Sequence, residues 1–190
     1  MNQPPQPARS VILRIRATAE AAPDISDVGL FLYDLDSLYE MARLAFDPEY
    51  KGYHFSRFSL YRNGRPLAPR DKLLVRRIHL ASPLEVTATI AAGAAAAASV
   101  AAALWAFVQL VEKIYNLRLQ REKLELEVER LKHETVQARL PLGLPEMTGD
   151  PEKVFQRRAA TEPLETLAKR LAASPIHVID VEIEVSDDVA

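Results

Sequence analysis

Residues 82–110 read SPLEVTATIAAGAAAAASVAAALWAFVQL, and the fold turns on what this stretch becomes. Ser82 can accept from the first free N–H groups of a helix, and Glu85 can reach back to the N–H of the cap residue. Pro83 then occupies the first helical position, where its missing N–H costs nothing. The pattern predicts a helix that begins at Ser82, with Ser82 and Glu85 as its cap. The next proline is Pro141, so a single helix is expected over 82–138, roughly 85 Å long at 1.5 Å per residue. A helix of that length has to project, span something, or bend.

Residues 86–110 carry no charged side chain, and twelve of these 25 residues are Ala. The run is long enough to cross a hydrocarbon core of about 30 Å. Leu104, Trp105, Phe107, Val108 and Leu110 cluster at one end, with Trp105 placed as an interfacial anchor. An Ala-rich helix is equally what two soluble helices need in order to pack closely, so a buried interface stays open beside the membrane reading. Gly93 and Ala97 form a small-xxx-small pair that permits close helix contact. Thr87, Ser99 and Gln109 are too few to define a pore.

Beyond the apolar run, Leu110, Ile114, Leu117, Leu124, Val128 and Leu131 recur at spacings of four and three, with Arg121 at the intervening position. This is a heptad seam and predicts a coiled-coil continuation over 111–138. Its flanks mix Lys and Arg with Glu, and self-association through 106–138 is the expected consequence.

The flanking segments read differently. Val11, Leu13 and Ile15 alternate with Ile12, Arg14 and Arg16, as in a strand with one buried face. Val28, Phe31, Leu32, Leu35, Leu38, Ala42 and Ala45 recur at helical spacing, so an amphipathic helix is expected over 27–46, ended by Asp47-Pro48. Phe55 to Arg62 and Leu73 to Leu80 are strand-like, and Asn63-Gly64 is a strong turn signal. After a Pro/Gly linker at 140–149, a cap is expected at Asp150-Pro151-Glu152. A short helix then carries Leu164, Leu167, Ala168 and Leu171, and Ser174-Pro175 stops it. Ile176 to Val185 follows as a strand with Val181, Ile183 and Val185 alternating with Asp180, Glu182 and Glu184.

Composition bounds the chemistry. The 190 residues are 48% hydrophobic and 26% charged, with 24 Lys+Arg against 26 Asp+Glu. That is globular composition, and it lacks the basic excess expected of a nucleic-acid binder. The absence of Cys removes disulfides, thiol nucleophiles and Cys-built zinc sites. His54, His79, His133 and His177 show no metal-ligand spacing, although His79 and His177 fall on two expected strands that could be neighbours. Asp36 and Glu40 share a helix face, and Asp34 does not. No Gly-x-Gly loop occurs, and no catalytic triad can be argued from spacing. No cofactor is expected.

The expectation is therefore an α+β chain: a disordered start (1–9), a small sheet with one amphipathic helix (10–81), the Ala-rich apolar helix (82–110), its coiled-coil continuation (111–138), and a linker, short helices and terminal strand (139–190). In function it reads as a non-enzymatic, membrane-anchored, self-associating interaction or scaffold module, with membrane lipid, its own copies and an unidentified protein as partners. The alternatives are a soluble cytoplasmic homo-oligomer with the Ala-rich helix as its interface, and a small enzyme with an unrecognised site. Glu182 and Glu184 suit Arg14 and Arg16 across a strand pair. Such a pair would bring both chain ends to one side of any membrane, so the straight spanning helix argues against it.

Overall fold

The alternation at Val11, Leu13, Ile15 and Ala17 builds the central strand β1 (Arg9–Ala19), whose four inward side chains are all buried. The computed structural model describes residues 9–19, 22–56, 67–81, 83–92, 97–125, 137–139, 151–158 and 160–186. Along the chain follow α1 (Ile25–Phe46), β2 (Leu74–His79), β3 (Leu84–Ala92), α2 (Ala97–Glu125), β4 (Gln137–Arg139), α3 (Pro151–Arg157), α4 (Thr161–Ala173) and β5 (Ile176–Ser186). The strands form one sheet in the order β2-β3-β1-β5-β4, antiparallel except for β4 on β5. The fold class is α+β, as the sequence predicts.

The decisive stretch is not one helix. Leu84, Val86, Ala88 and Ile90 are buried, and they face Ala17, Ile15, Leu13 and Val11 of β1 in register. Glu85, Thr87 and Thr89 point to the other face, opposite Arg16, Arg14 and Ile12. This is a period of two carried by β-branched residues, which suit a pleated surface. Glu85 therefore lies in a strand and caps no helix, and Ser82 lies outside the described residues. The sheet draws strands from both sides of residue 82, so 10–81 does not close a unit by itself.

The second half of the apolar run is helical but does not project. In α2, Val100, Ala103, Leu104, Ala106, Phe107, Val108, Leu110, Val111, Ile114 and Tyr115 are all buried. A helix apolar all round belongs inside a core, and α2 packs against α1, α3, α4 and β5. Its small Ala side chains let these neighbours approach. Tyr39 and Phe107 meet edge to face at 6.3 Å between ring centroids, as do Phe46 and Trp105. Leu110 and Ile114 of the expected seam thus serve the chain's own core. Leu117 and Leu124 lie on the continuing helix, and Val128 and Leu131 lie outside the described residues.

The pairing that a straight helix disfavours is present. β1 runs antiparallel to β5 over almost its whole length. Arg14 sits 2.9 Å from Glu184 and 3.9 Å from Glu182, and Arg16 pairs with Asp180. A bulge at Arg16/Ala17 leaves Ile179 as the extra residue of β5, so Ile176, Val178, Val181 and Ile183 all stay buried despite the broken alternation. With β1, β3 and β5 side by side, a single straight crossing by 86–110 is excluded. Among the described residues, no helix is long and apolar enough to cross a membrane.

Helix α1 starts on a reciprocal cap: the Asp27 N–H donates to Asp24 Oδ1 at 2.8 Å, and the Asp24 N–H donates back to Asp27. The helix stops at Asp47-Pro48, where a 3-10 turn (Pro48–Tyr50) follows. The expected helix and its end are both found, with the start two residues earlier. Helices α3 and α4 and strand β5 likewise match the C-terminal reading. The strand expected over Phe55–Arg62 and its Asn63-Gly64 turn fall mainly outside the described residues.

Candidate functional site

Strand β2 differs from β1, β3 and β5, which bury one face: all six of its residues are exposed. It pairs with β3 and, among the described residues, has no strand on its outer side. Val75 opposes Ala88 and Ile78 opposes Val86, so both belong to the inner face that elsewhere is covered by helices. They remain 53% and 40% exposed, because the helical layer stops short of this edge. A bulge at Arg76 allows two residues three apart to share that face. Leu74 and Leu80 add exposed apolar surface on the same strand and just beyond it.

Beside this edge lies an apolar cleft of about 240 Å³ between the sheet and the first half of α1. The sheet contributes Leu13, Ile15, Val86 and Val75; α1 contributes Leu32, Tyr33, Leu35 and Asp36; Phe107 of α2 forms part of its lining. Tyr33 and Leu30 carry the apolar rim onto the outside of α1. The Tyr33 ring is held from behind by Arg170, whose guanidinium lies 5.8 Å from the ring centroid and 2.5 Å from Asp34. Burial pushes the Asp34 carboxyl up from its ordinary value, with the Arg170 charge opposing. The sequence pattern placed Asp36 and Glu40 on one face; Asp36 lines the cleft, whereas Glu40 faces the segment that leads into β2.

That segment is anchored by a buried charge cluster. Arg43 is fully buried, and its Nη2 donates to Asp71 Oδ1 and lies against Asp47 Oδ2, each at 2.8 Å. The Tyr50 hydroxyl donates to Asp71 Oδ2 at 2.6 Å and accepts from the Ala68 N–H at 3.0 Å. The Tyr39 hydroxyl donates to the Asp71 carbonyl at 3.0 Å. Burial raises both phenols above their usual range. Burial also pushes the Glu40 carboxyl up to about 7, against the Leu67 N–H and the Lys72 ammonium. These bonds fix a 3-10 turn (Pro69–Asp71) at the end of α1 and so set where β2 begins.

A second clamp holds α1 from the other end of the chain. Arg158 donates to the carbonyls of Leu44 (3.0 Å), Tyr50 (2.8 Å), Lys51 (2.7 Å) and Tyr53 (3.2 Å). Its cation thus lies at the C-terminal end of α1, where carbonyls lack helical donors.

Sequence reasoning missed Asp71, Tyr50 and Arg158, because their partners lie far along the chain, and it missed Arg43 although Asp47 stands only four residues on. It also missed the cleft, since an exposed strand and a buried one share the same alternation. His79 and His177 are not neighbours: β3 and β1 separate their strands, and His177 packs near Tyr115 instead. Among the described residues, no group of three or more His, Asp or Glu side chains could hold a metal ion. No family model, no curated protein and no solved structure matches the chain.

Proposed function

We propose that this chain is a non-enzymatic interaction module that captures an extended segment of a partner protein by strand addition to β2. The single observation that carries the reading is a strand that lies, among the described residues, at the sheet edge with Val75 and Ile78 exposed, directly beside an apolar cleft. An unpaired edge offers a row of backbone donors and acceptors, and pockets for alternate side chains supply specificity. The lining favours binding over chemistry: it is largely apolar, with Tyr33 and Asp36 as its polar members. Peptides selected by display on the full chain should protect the amides of 74–79 from hydrogen exchange. The double variant Val75→Glu/Ile78→Glu should lose them. Selected peptides that leave those amides unprotected would contradict the reading.

Self-association through Leu117, Leu124, Val128 and Leu131 is a second reading. Its support is that α2 continues as helix to Glu125, ten residues past Tyr115, its last described buried residue. Sedimentation of the full chain and of Leu117→Ala/Leu124→Ala tests it: an oligomer that the variant disperses favours the seam, and a monomeric parent chain refutes it.

A further inference from the structure

Resting on the strand-addition reading, we infer that the segment captured along β2 is acidic, with carboxylates alternating with apolar residues. The two faces of β2 dictate the alternation. Val75 and Ile78 lie on the helix side, Val75 lining the cleft, whereas Leu74, Arg77 and His79 oppose Thr89, Thr87 and Glu85 on the outer face. Arg76, at the bulge, donates from Nε to the Thr89 hydroxyl at 3.0 Å, which holds its guanidinium on that same side. Lys72, two residues before the strand, is exposed and sets its ammonium against Glu40 of α1. A sixth strand laid along β2 therefore sets the side chains of one face against apolar surface and those of the other beside the guanidinium groups of Arg76 and Arg77. Asp36 stands on the helix side of the cleft, so the apolar residues of the segment meet it and the carboxylates do not.

The same chemistry already operates inside this sheet. Strand β1 offers Val11, Leu13 and Ile15 on one face and Arg14 and Arg16 on the other. The strand that pairs with it is β5, in which Val181 and Ile183 alternate with Asp180, Glu182 and Glu184. Strand β2 repeats the pattern of β1 with its partner position open among the described residues.

A second copy of the chain is a poor occupant. The registers centred on the middle of β2 set Arg76 against Arg76, Arg76 against Arg77, or Arg77 against Arg77 of the other copy. Like charges directly opposite each other destabilise a strand pair.

Labelled peptides Val-Glu-Val-Glu-Val-Glu-Val, Val-Gln-Val-Gln-Val-Gln-Val and Val-Lys-Val-Lys-Val-Lys-Val, titrated into the full chain by fluorescence anisotropy, test the assignment. The acidic peptide should bind about tenfold more tightly than the basic one, as two facing charge pairs allow. Arg76→Glu/Arg77→Glu should reverse that order. Both arginines are exposed, so the variant should melt with the parent, which separates lost recognition from lost fold. If all three peptides bind alike and protect the amides of 74–79, the acidic assignment is overturned while strand addition stands. If none of them protects those amides, strand addition falls with it. A peptide-free dimer that Val75→Glu disperses would put a second copy on the edge and overturn the assignment as well.

Discussion

Replacing Arg43 by Met should strongly destabilise the chain, and the structure sets the scale. Two carboxylates, Asp47 and Asp71, lie 2.8 Å from one guanidinium nitrogen and are 5% and 6% exposed themselves. Removing the cation leaves two buried like charges side by side, with only the Tyr50 hydroxyl and a half-solvated Arg70 at 3.8 Å on Asp71 and the Glu49 N–H on Asp47. Breaking a buried pair in this way costs about 3–5 kcal/mol. Against a total stability on the order of 5–15 kcal/mol that is a large fraction, and in a chain of this size it lowers Tm by roughly 6–20 °C. The triple variant Arg43→Met/Asp47→Asn/Asp71→Asn separates charge from packing. It keeps similar volumes, removes every charge, and should recover most of the loss, because a whole buried ionic group can often be replaced at little net cost. Thermal and urea denaturation followed by circular dichroism would read both. A single variant within about 1 kcal/mol of the parent would refute the claim that this cluster anchors the 67–72 segment. A triple variant as unstable as the single one would show that shape, not charge, holds it.

Two further outcomes follow from the site's surroundings. Arg158→Ala should cost about 3 kcal/mol, since charge-assisted bonds to four carbonyls are lost together, and Arg158→Lys should not restore it, because an ammonium lacks the planar fork; thermal denaturation of both variants checks this. Glu40 titrates near 7 in the folded chain, above its ordinary value of 4.5, so the folded state holds the proton more tightly. Its contribution to stability is then fullest below about pH 4.5 and falls as pH rises through 7. Glu40→Gln should flatten that slope and raise stability at pH 8 by about 1 kcal/mol, a figure reduced for the partial solvent screening of this side chain. Urea midpoints at pH 5 and pH 8 measure it, and an unchanged slope would count against the assignment.

What the sequence made legible depended on how local the cause was. Helix α1 carries its own signals in apolar spacing and in Asp47-Pro48, and its end falls where expected, while the Asp24 cap that starts it two residues early is seen only in the structure. The stretch 82–92 carried two signals at once. Ser82-Pro83-Leu84-Glu85 imitates a helix cap, while Val86-Thr87-Ala88-Thr89-Ile90 alternates apolar with polar and carries four β-branched residues that suit a strand. The charge-free alanine run that follows hid where one signal yields to the other, and the tertiary partner β1 decides it. The Arg14/Arg16 match to Asp180, Glu182 and Glu184 was visible in the charges. Only a straight helix over 82–138 conflicts with it. The cleft had no local signature, because exposure of Val75 and Ile78 follows from where the helices end and not from β2 itself.

Everything proposed for β2 depends on β3 lying between it and β1, and the chain's lack of Cys makes that directly measurable. Thr87 of β3 opposes Arg14 on one side and Arg77 on the other, and facing residues in a strand pair bring their Cβ atoms to roughly 4.5–5.5 Å. Two double variants, Arg14→Cys/Thr87→Cys and Arg77→Cys/Thr87→Cys, should each close an intramolecular disulfide under mild oxidation. Non-reducing electrophoresis and thiol counting would show a monomer without free thiols in both cases. Persisting free thiols, or disulfide-linked dimers in their place, would contradict the strand at 84–92 and remove the edge on which the proposed function rests.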